Sequence, residues 1–79
     1  MKQNAVGRKI RYFREISGLS QMALGKLCSL WPSYISDVEH GRRIIGVEAL
    51  SKICDALPLE KSLSDGLFIL AGYTALDVA

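Results

Sequence analysis

Apolar residues in this chain return at every third or fourth position, in runs that are all short. Val6, Ile10 and Phe13 form one stripe, Leu24, Leu27 and Cys28 a second, and Ile35 and Val38 a third. Val47, Leu50, Ile53, Cys54 and Leu57 form a fourth. This spacing puts side chains on one face of an α-helix and differs from the alternation of a half-buried strand. Each run is bracketed by residues that start or stop helices. Asn4 is placed to cap a first helix over about 5–17, ended by Gly18, and Ser20 to cap a second over 21–28. Pro32 suits the first position of a third helix running to His40, where its missing N–H costs nothing, and Gly41 closes that helix. Pro58 stops the fourth helix, and Ser64 is placed to cap a fifth over about 65–71, ended by Gly72. Residues 73–79 are too few to assign. The expected fold is all-α, a compact bundle of about five short helices formed as one domain over residues 1–79.

Charge divides the chain. Residues 1–43 hold eight Lys or Arg against three Asp or Glu, a net +5, whereas residues 44–79 hold two against five, a net −3. A basic half beside an acidic half is what a polyanion-facing protein presents. The two cysteines, Cys28 and Cys54, each fall in an apolar helical pattern and read as small core hydrophobes of a reduced, cytoplasmic protein rather than a disulfide framework. His40 is the only histidine, so no metal site is expected. No stretch approaches the roughly 18 apolar residues of a membrane span, and the N-terminus lacks the apolar run of a signal peptide. With one histidine and no paired carboxylates, no catalytic constellation is legible; neither enzymatic activity, a cofactor nor a small-molecule ligand is expected.

The third helix has two unlike faces. At 100° per residue Ile35 and Val38 point together, with Glu39 beside them and Tyr34 at the border. Ser33, Ser36, Asp37 and His40 gather on the opposite side. Short polar side chains let a helix backbone approach a partner closely, and a helix fits the roughly 12 Å wide major groove of DNA. Helix two ends three or four residues before helix three begins, the spacing of a helix-turn-helix. Arg42 and Arg43 follow at once, placed to meet phosphates beside a groove-bound helix. Gln21 opens helix two, where its amide and the free N–H groups of the helix end form a seat for a phosphate.

"GLSQMALGKL" followed by "YISDVEHGRR" resembles the helix-turn-helix of the lambda-repressor/Cro class, the XRE-like regulators, over about residues 6–57. The resemblance is carried most specifically by Gly18-Leu19-Ser20-Gln21 and by Tyr34-Ile35-Ser36 followed by Glu39 and Gly41. It implies that Gln21, Tyr34 and residues around Gly41 hold phosphates, while Pro32, Ser33, Ser36 and Asp37 face base edges. It also implies a structural pair between Arg14 and Glu39; independently, a carboxylate beside Ile35 needs a partner if buried. The chain departs from the pattern at Ser29, where the family usually has Gly, and at Trp31, where it usually has a small polar cap. Trp31 either packs over the turn or lies against the sugar-phosphate backbone. Positions 33, 36 and 37 hold no Gln, Asn or Arg, the residues that give bidentate base recognition. Asp37 either accepts from cytosine N4 or is a surface carboxylate, solvated or paired with arginine. His40 either donates to a phosphate or finishes the helix, where the dipole favours a cation. Arg8, Lys9 and Arg11 read as solvated charge.

Residues 58–79 are expected to form a C-terminal dimerisation helix and tail. Leu63, Leu67, Phe68, Leu70 and Tyr73 exceed what one short helix need bury against a four-helix core, and surplus apolar surface marks an interface. A twofold homodimer would place two recognition helices one turn of double-stranded DNA apart on a pseudo-palindrome. The expected function is therefore a sequence-specific transcriptional regulator, a repressor or autoregulator resembling phage Cro-type repressors and the controller proteins of restriction–modification systems. The rival is an antitoxin-type protein whose C-terminal apolar surface binds a second protein while its helix-turn-helix regulates its own promoter.

Overall fold

The computed structural model describes residues 2–74, which form α1 (Lys2–Ile16), α2 (Gln21–Cys28), α3 (Pro32–Glu39), α4 (Val47–Ala56) and α5 (Lys61–Leu70). Among the described residues there are no strands, and no helix is long and apolar enough to cross a membrane. α3 packs on α1 and α2, α4 on α2, and α5 on α1 and α4. The core gathers Val6 and Ile10 of α1, Leu24 and Cys28 of α2, and Ile35 and Val38 of α3. Ile45 of the following loop, Leu50, Ile53, Cys54 and Leu57, and Leu67 and Phe68 of α5 complete it.

Local chemistry sets most of the boundaries. The Ser20 hydroxyl accepts from the Ala23 N–H at 3.0 Å and caps α2. Pro32 opens α3. At the end of α3 Gly41 takes φ +73°, so that its N–H reaches the Val38 carbonyl at 3.0 Å and the Arg42 N–H reaches that of Asp37 at 2.8 Å. This left-handed closure satisfies carbonyls that a helix end otherwise leaves open, and it delivers Arg42 and Arg43 directly beside α3. α1 approaches α3 at Gly7, where a Cβ would collide with the Val38 carbonyl oxygen. Ser29 also adopts a left-handed conformation, φ 56° and ψ 41°, after α2. It turns as glycine would, at a cost on the order of 1–2 kcal/mol.

Four expectations are corrected. Asn4 does not cap α1, which begins at Lys2; its side chain instead fills the space against Gly41, where a Cβ would collide with it. Ser64 does not cap α5, which begins at Lys61; it lies inside that helix and is half-buried. Leu27 does not turn inward and is 62% exposed. Gly25 takes the buried place beside Leu24 and Cys28, because only a residue without a side chain admits the Leu30 carbonyl there. Leu67 and Phe68 do not lie at an open interface: they are 1% and 6% exposed within one chain. α5 is wedged between α1 and α4, so these two side chains complete the core.

Of the other apolar residues expected at an interface, Leu63 is exposed and Leu70 and Tyr73 are half-buried, the Tyr73 hydroxyl donating to the Ile45 carbonyl at 2.6 Å. The tail beyond residue 74 lies outside the described residues. Both cysteines are free and buried, and burial pushes each thiol above its ordinary range.

Candidate nucleic-acid interface

α3 is held from beneath by Ile35 and Val38, at 0% and 1% exposure, and by a charged clamp. Arg14 of α1 grips the Glu39 carboxylate through two donors, Nε to Oε2 at 2.6 Å and Nη2 to Oε1 at 2.9 Å. Its remaining nitrogen Nη1 donates to the Leu19 carbonyl at 2.8 Å, and Gln21 Nε2 donates to Glu39 Oε1 at 3.1 Å. The two side chains are 9% and 1% exposed. Glu39 holds the Arg14 guanidinium above its ordinary range through hydrogen bonding, against the opposing effect of burial. A planar fork matched to a carboxylate fixes orientation as well as distance. One cluster thereby joins α1, the start of α2 and the end of α3, and sets the angle at which α3 stands.

The outward side carries the short polar residues. Ser33 is exposed, and Pro32, Ser36 and Asp37 are half-buried. The Asp37 carboxylate is engaged: Arg42 Nε and Nη2 both lie 3.1 Å from Oδ1. The two are five positions apart in sequence, and the Gly41 closure folds Arg42 back over the helix end. Arg43 projects the other way, its guanidinium carbon 5.3 Å from the centroid of the Tyr34 ring. The Tyr34 hydroxyl accepts from the Gly46 N–H at 3.1 Å, which ties the loop after α3 to its first turn and leaves the phenolic proton free to donate outward.

His40 turns back on its own helix, with Nδ1 2.8 Å from the Ser36 carbonyl. A carbonyl can only accept, so Nδ1 carries the proton; Nε2 of the neutral ring is an acceptor and offers a phosphate nothing unless the ring is protonated. Gln21 spends one amide N–H on Glu39 and keeps the other.

Pro32, Ser33, Ser36, Asp37, Tyr34, Arg42 and Arg43 thus come together on and around α3, with His40 at its end and Gln21 beside its anchor. Trp31 does not pack over the turn. It is 80% exposed at the N-cap of α3 and makes no capping hydrogen bond. Of the alternatives open for Asp37, the arginine-paired surface carboxylate is the one observed, with Arg42 as the partner; the Tyr34–Gly46 link was missed, because it depends on the path the chain takes after Gly41. Among the described residues no group of His, Cys, Asp and Glu is gathered that could hold a metal ion.

A helix-turn-helix domain family matches residues 5–65 of the chain. The chain is 39% identical over 61 residues to Control protein C.BamHI of Bacillus amyloliquefaciens, across 75% of each protein. It is 32% identical over 60 residues to the HTH-type transcriptional regulator RamB of Mycobacterium tuberculosis, across 76% of this chain but only 13% of RamB. Among solved structures, the clp gene regulator ClgR from C. glutamicum superposes with a TM-score of 0.76 at 28% identity, over 91% of this chain and 90% of that one.

Proposed function

The chain belongs to the helix-turn-helix family of DNA-binding transcriptional regulators, in its lambda-repressor/Cro (XRE) class, and from that premise we propose that it is a cytoplasmic repressor or autoregulator that binds a pseudo-palindromic operator as a homodimer. The observation that carries this reading is α3 itself. One side is fixed by Ile35, Val38 and the Arg14–Glu39 clamp, and the other offers short polar side chains beside two exposed arginines. Such a helix can enter a groove to the depth of its backbone without losing its anchorage. Pro32, Ser33, Ser36 and Asp37 face base edges in this arrangement. Gln21, Tyr34, Arg42 and Arg43 meet phosphates, and His40 joins them only as the imidazolium.

For the dimer, the outward side of α5 provides Ile69, 70% exposed, and Leu63, 44% exposed. Gly66 lies between them with open space where a Cβ would stand. Residues 58–79 are then the dimerisation segment. Association matters because one small module buries too little surface for tight specific binding. The similarity to a control protein supports a regulatory role. An antitoxin-type protein would use the same α5 surface for a different polypeptide.

Binding-site selection from a randomised duplex pool tests the proposal. The expected product is an inverted repeat whose half-sites lie about 34–36 Å apart, one helical turn. An asymmetric motif, or a one-protomer mass for the complex by sedimentation, would contradict the dimer. Arg43→Ala is expected to weaken binding to every duplex and to lower the slope of log K against log salt by about 1. Arg42→Ala is expected to do the same and also to free Asp37, adding repulsion from nearby phosphates. Slopes identical to the parent's would remove both arginines from the phosphate contacts.

A further inference from the structure

Trp31 stands in open solvent at the leading end of α3, although an indole gains more from burial than almost any side chain. It is not there to cap the helix: the indole nitrogen only donates, whereas a cap must accept from free N–H groups. Its neighbours form a shallow concavity of about 400 Å³ in which Trp31 is joined by Leu30, Pro32, Met22 and Lys26. Met22 is 59% exposed, and it lies one turn before Lys26 on α2. The residues lining it are mostly apolar, with Lys26 the charged one among them, and Pro32 opens the helix that carries Ser33 and Ser36.

We propose that Trp31 is a specificity-determining residue whose indole packs on the C5-methyl of a thymine in the major groove, with Lys26 over a neighbouring phosphate. This inference rests on the groove-binding reading of α3. In helix-turn-helix docking the N-terminal residues of the recognition helix meet base edges, and Trp31 immediately precedes them. The polar residues of α3 leave the base code incomplete. Serine hydroxyls both donate and accept and so discriminate poorly, and the Asp37 carboxylate is held by Arg42. The thymine methyl is the one major-groove feature read without a hydrogen bond, and it needs the exposed apolar surface that Trp31, Leu30 and Pro32 supply. Lys26 fits a polyanion and would be left unpaired by an apolar peptide.

Deoxyuridine scanning of the selected duplex tests the proposal, because each thymine-to-deoxyuridine exchange removes only a methyl group. At one thymine per half-site the parent is expected to lose about fourfold in affinity, what burial of one methyl provides. Trp31→Ala is expected to lose less than twofold at the same position while keeping the parent's melting temperature. Trp31 is the only tryptophan, so its emission reports the contact in the unaltered protein: a saturating amount of the selected duplex is expected to shift or quench it. Emission unchanged by the duplex, or equal deoxyuridine penalties in parent and Trp31→Ala, would overturn the assignment while leaving the regulator reading intact. A parent that binds selected and scrambled duplexes equally would overturn both.

Discussion

Arg14→Ala is expected to destabilise the fold by about 3–5 kcal/mol, the cost of leaving one partner of a buried ion pair uncompensated. The Glu39 side chain is 1% exposed and would keep only the Gln21 donor, while the Leu19 carbonyl would lose Arg14 altogether. For a small domain whose whole stability lies at about 5–15 kcal/mol, such a loss removes a large share of it. Arg14→Lys should restore only part of it, since one ammonium cannot reproduce the two bonds to Glu39 and the third to Leu19. Replacing both partners by apolar residues, Arg14→Met with Glu39→Leu, should recover most of the loss because no buried charge is then left alone. Urea midpoints at an unchanged m-value measure all three. A loss below about 1 kcal/mol for Arg14→Ala would mean that water reaches the pair and that it behaves like a surface ion pair.

Leu67→Glu and Ile69→Glu are expected to fail in different ways, although the two residues are neighbours but one in α5. Leu67 is 1% exposed, so the substitution removes a core side chain, at about 2–5 kcal/mol, and also places a carboxylate in the core without a partner. The expected result is an unfolded chain, visible as lost helical circular dichroism. Ile69 is 70% exposed, and Ile69→Glu should change stability by no more than about 0.5 kcal/mol. It should instead give a folded monomer with weakened operator binding, because a charge would enter the proposed apolar interface. A folded, dimeric Ile69→Glu protein in sedimentation would place the interface elsewhere; a folded Leu67→Glu protein would contradict the packing of α5.

Much of the fold was legible because short helices are bounded by short-range chemistry. Ser20, Pro32, Gly41 and Gly72 act within a few residues of themselves, and the ends they mark fall close to those observed. The failures occur where a residue suited to a local role is overruled by its surroundings. Asn4 and Ser64 are sound caps by type, yet the first packs against Gly41 and the second lies inside a helix that already begins at Lys61. Periodicity marked α5 as apolar but could not say what would cover it. Two neighbouring helices cover Leu67 and Phe68, and the exposed remainder is Ile69 and Leu63.

In the candidate site, the buried side of α3 was legible from Ile35, Val38 and Glu39, whose spacing alone fixes their common direction. That Asp37 could pair with an arginine was legible as one alternative, but not that Arg42 is the partner, because this depends on where the chain turns after a positive-φ glycine. The choice between the two readings of Trp31 was also out of reach: an aromatic residue beside a turn ordinarily packs, and only the surrounding structure shows that this one is exposed.

The central claim is that α3 gives this chain preference for particular base pairs and not merely affinity for polyanions. A competition titration at about 150 mM salt, between the selected duplex and a scrambled duplex of equal length and composition, measures this directly. The account predicts at least about a 10³-fold preference for the selected duplex, with both affinities falling as salt rises. Equal affinities for the two duplexes at every salt concentration, or no measurable binding to either, would contradict it.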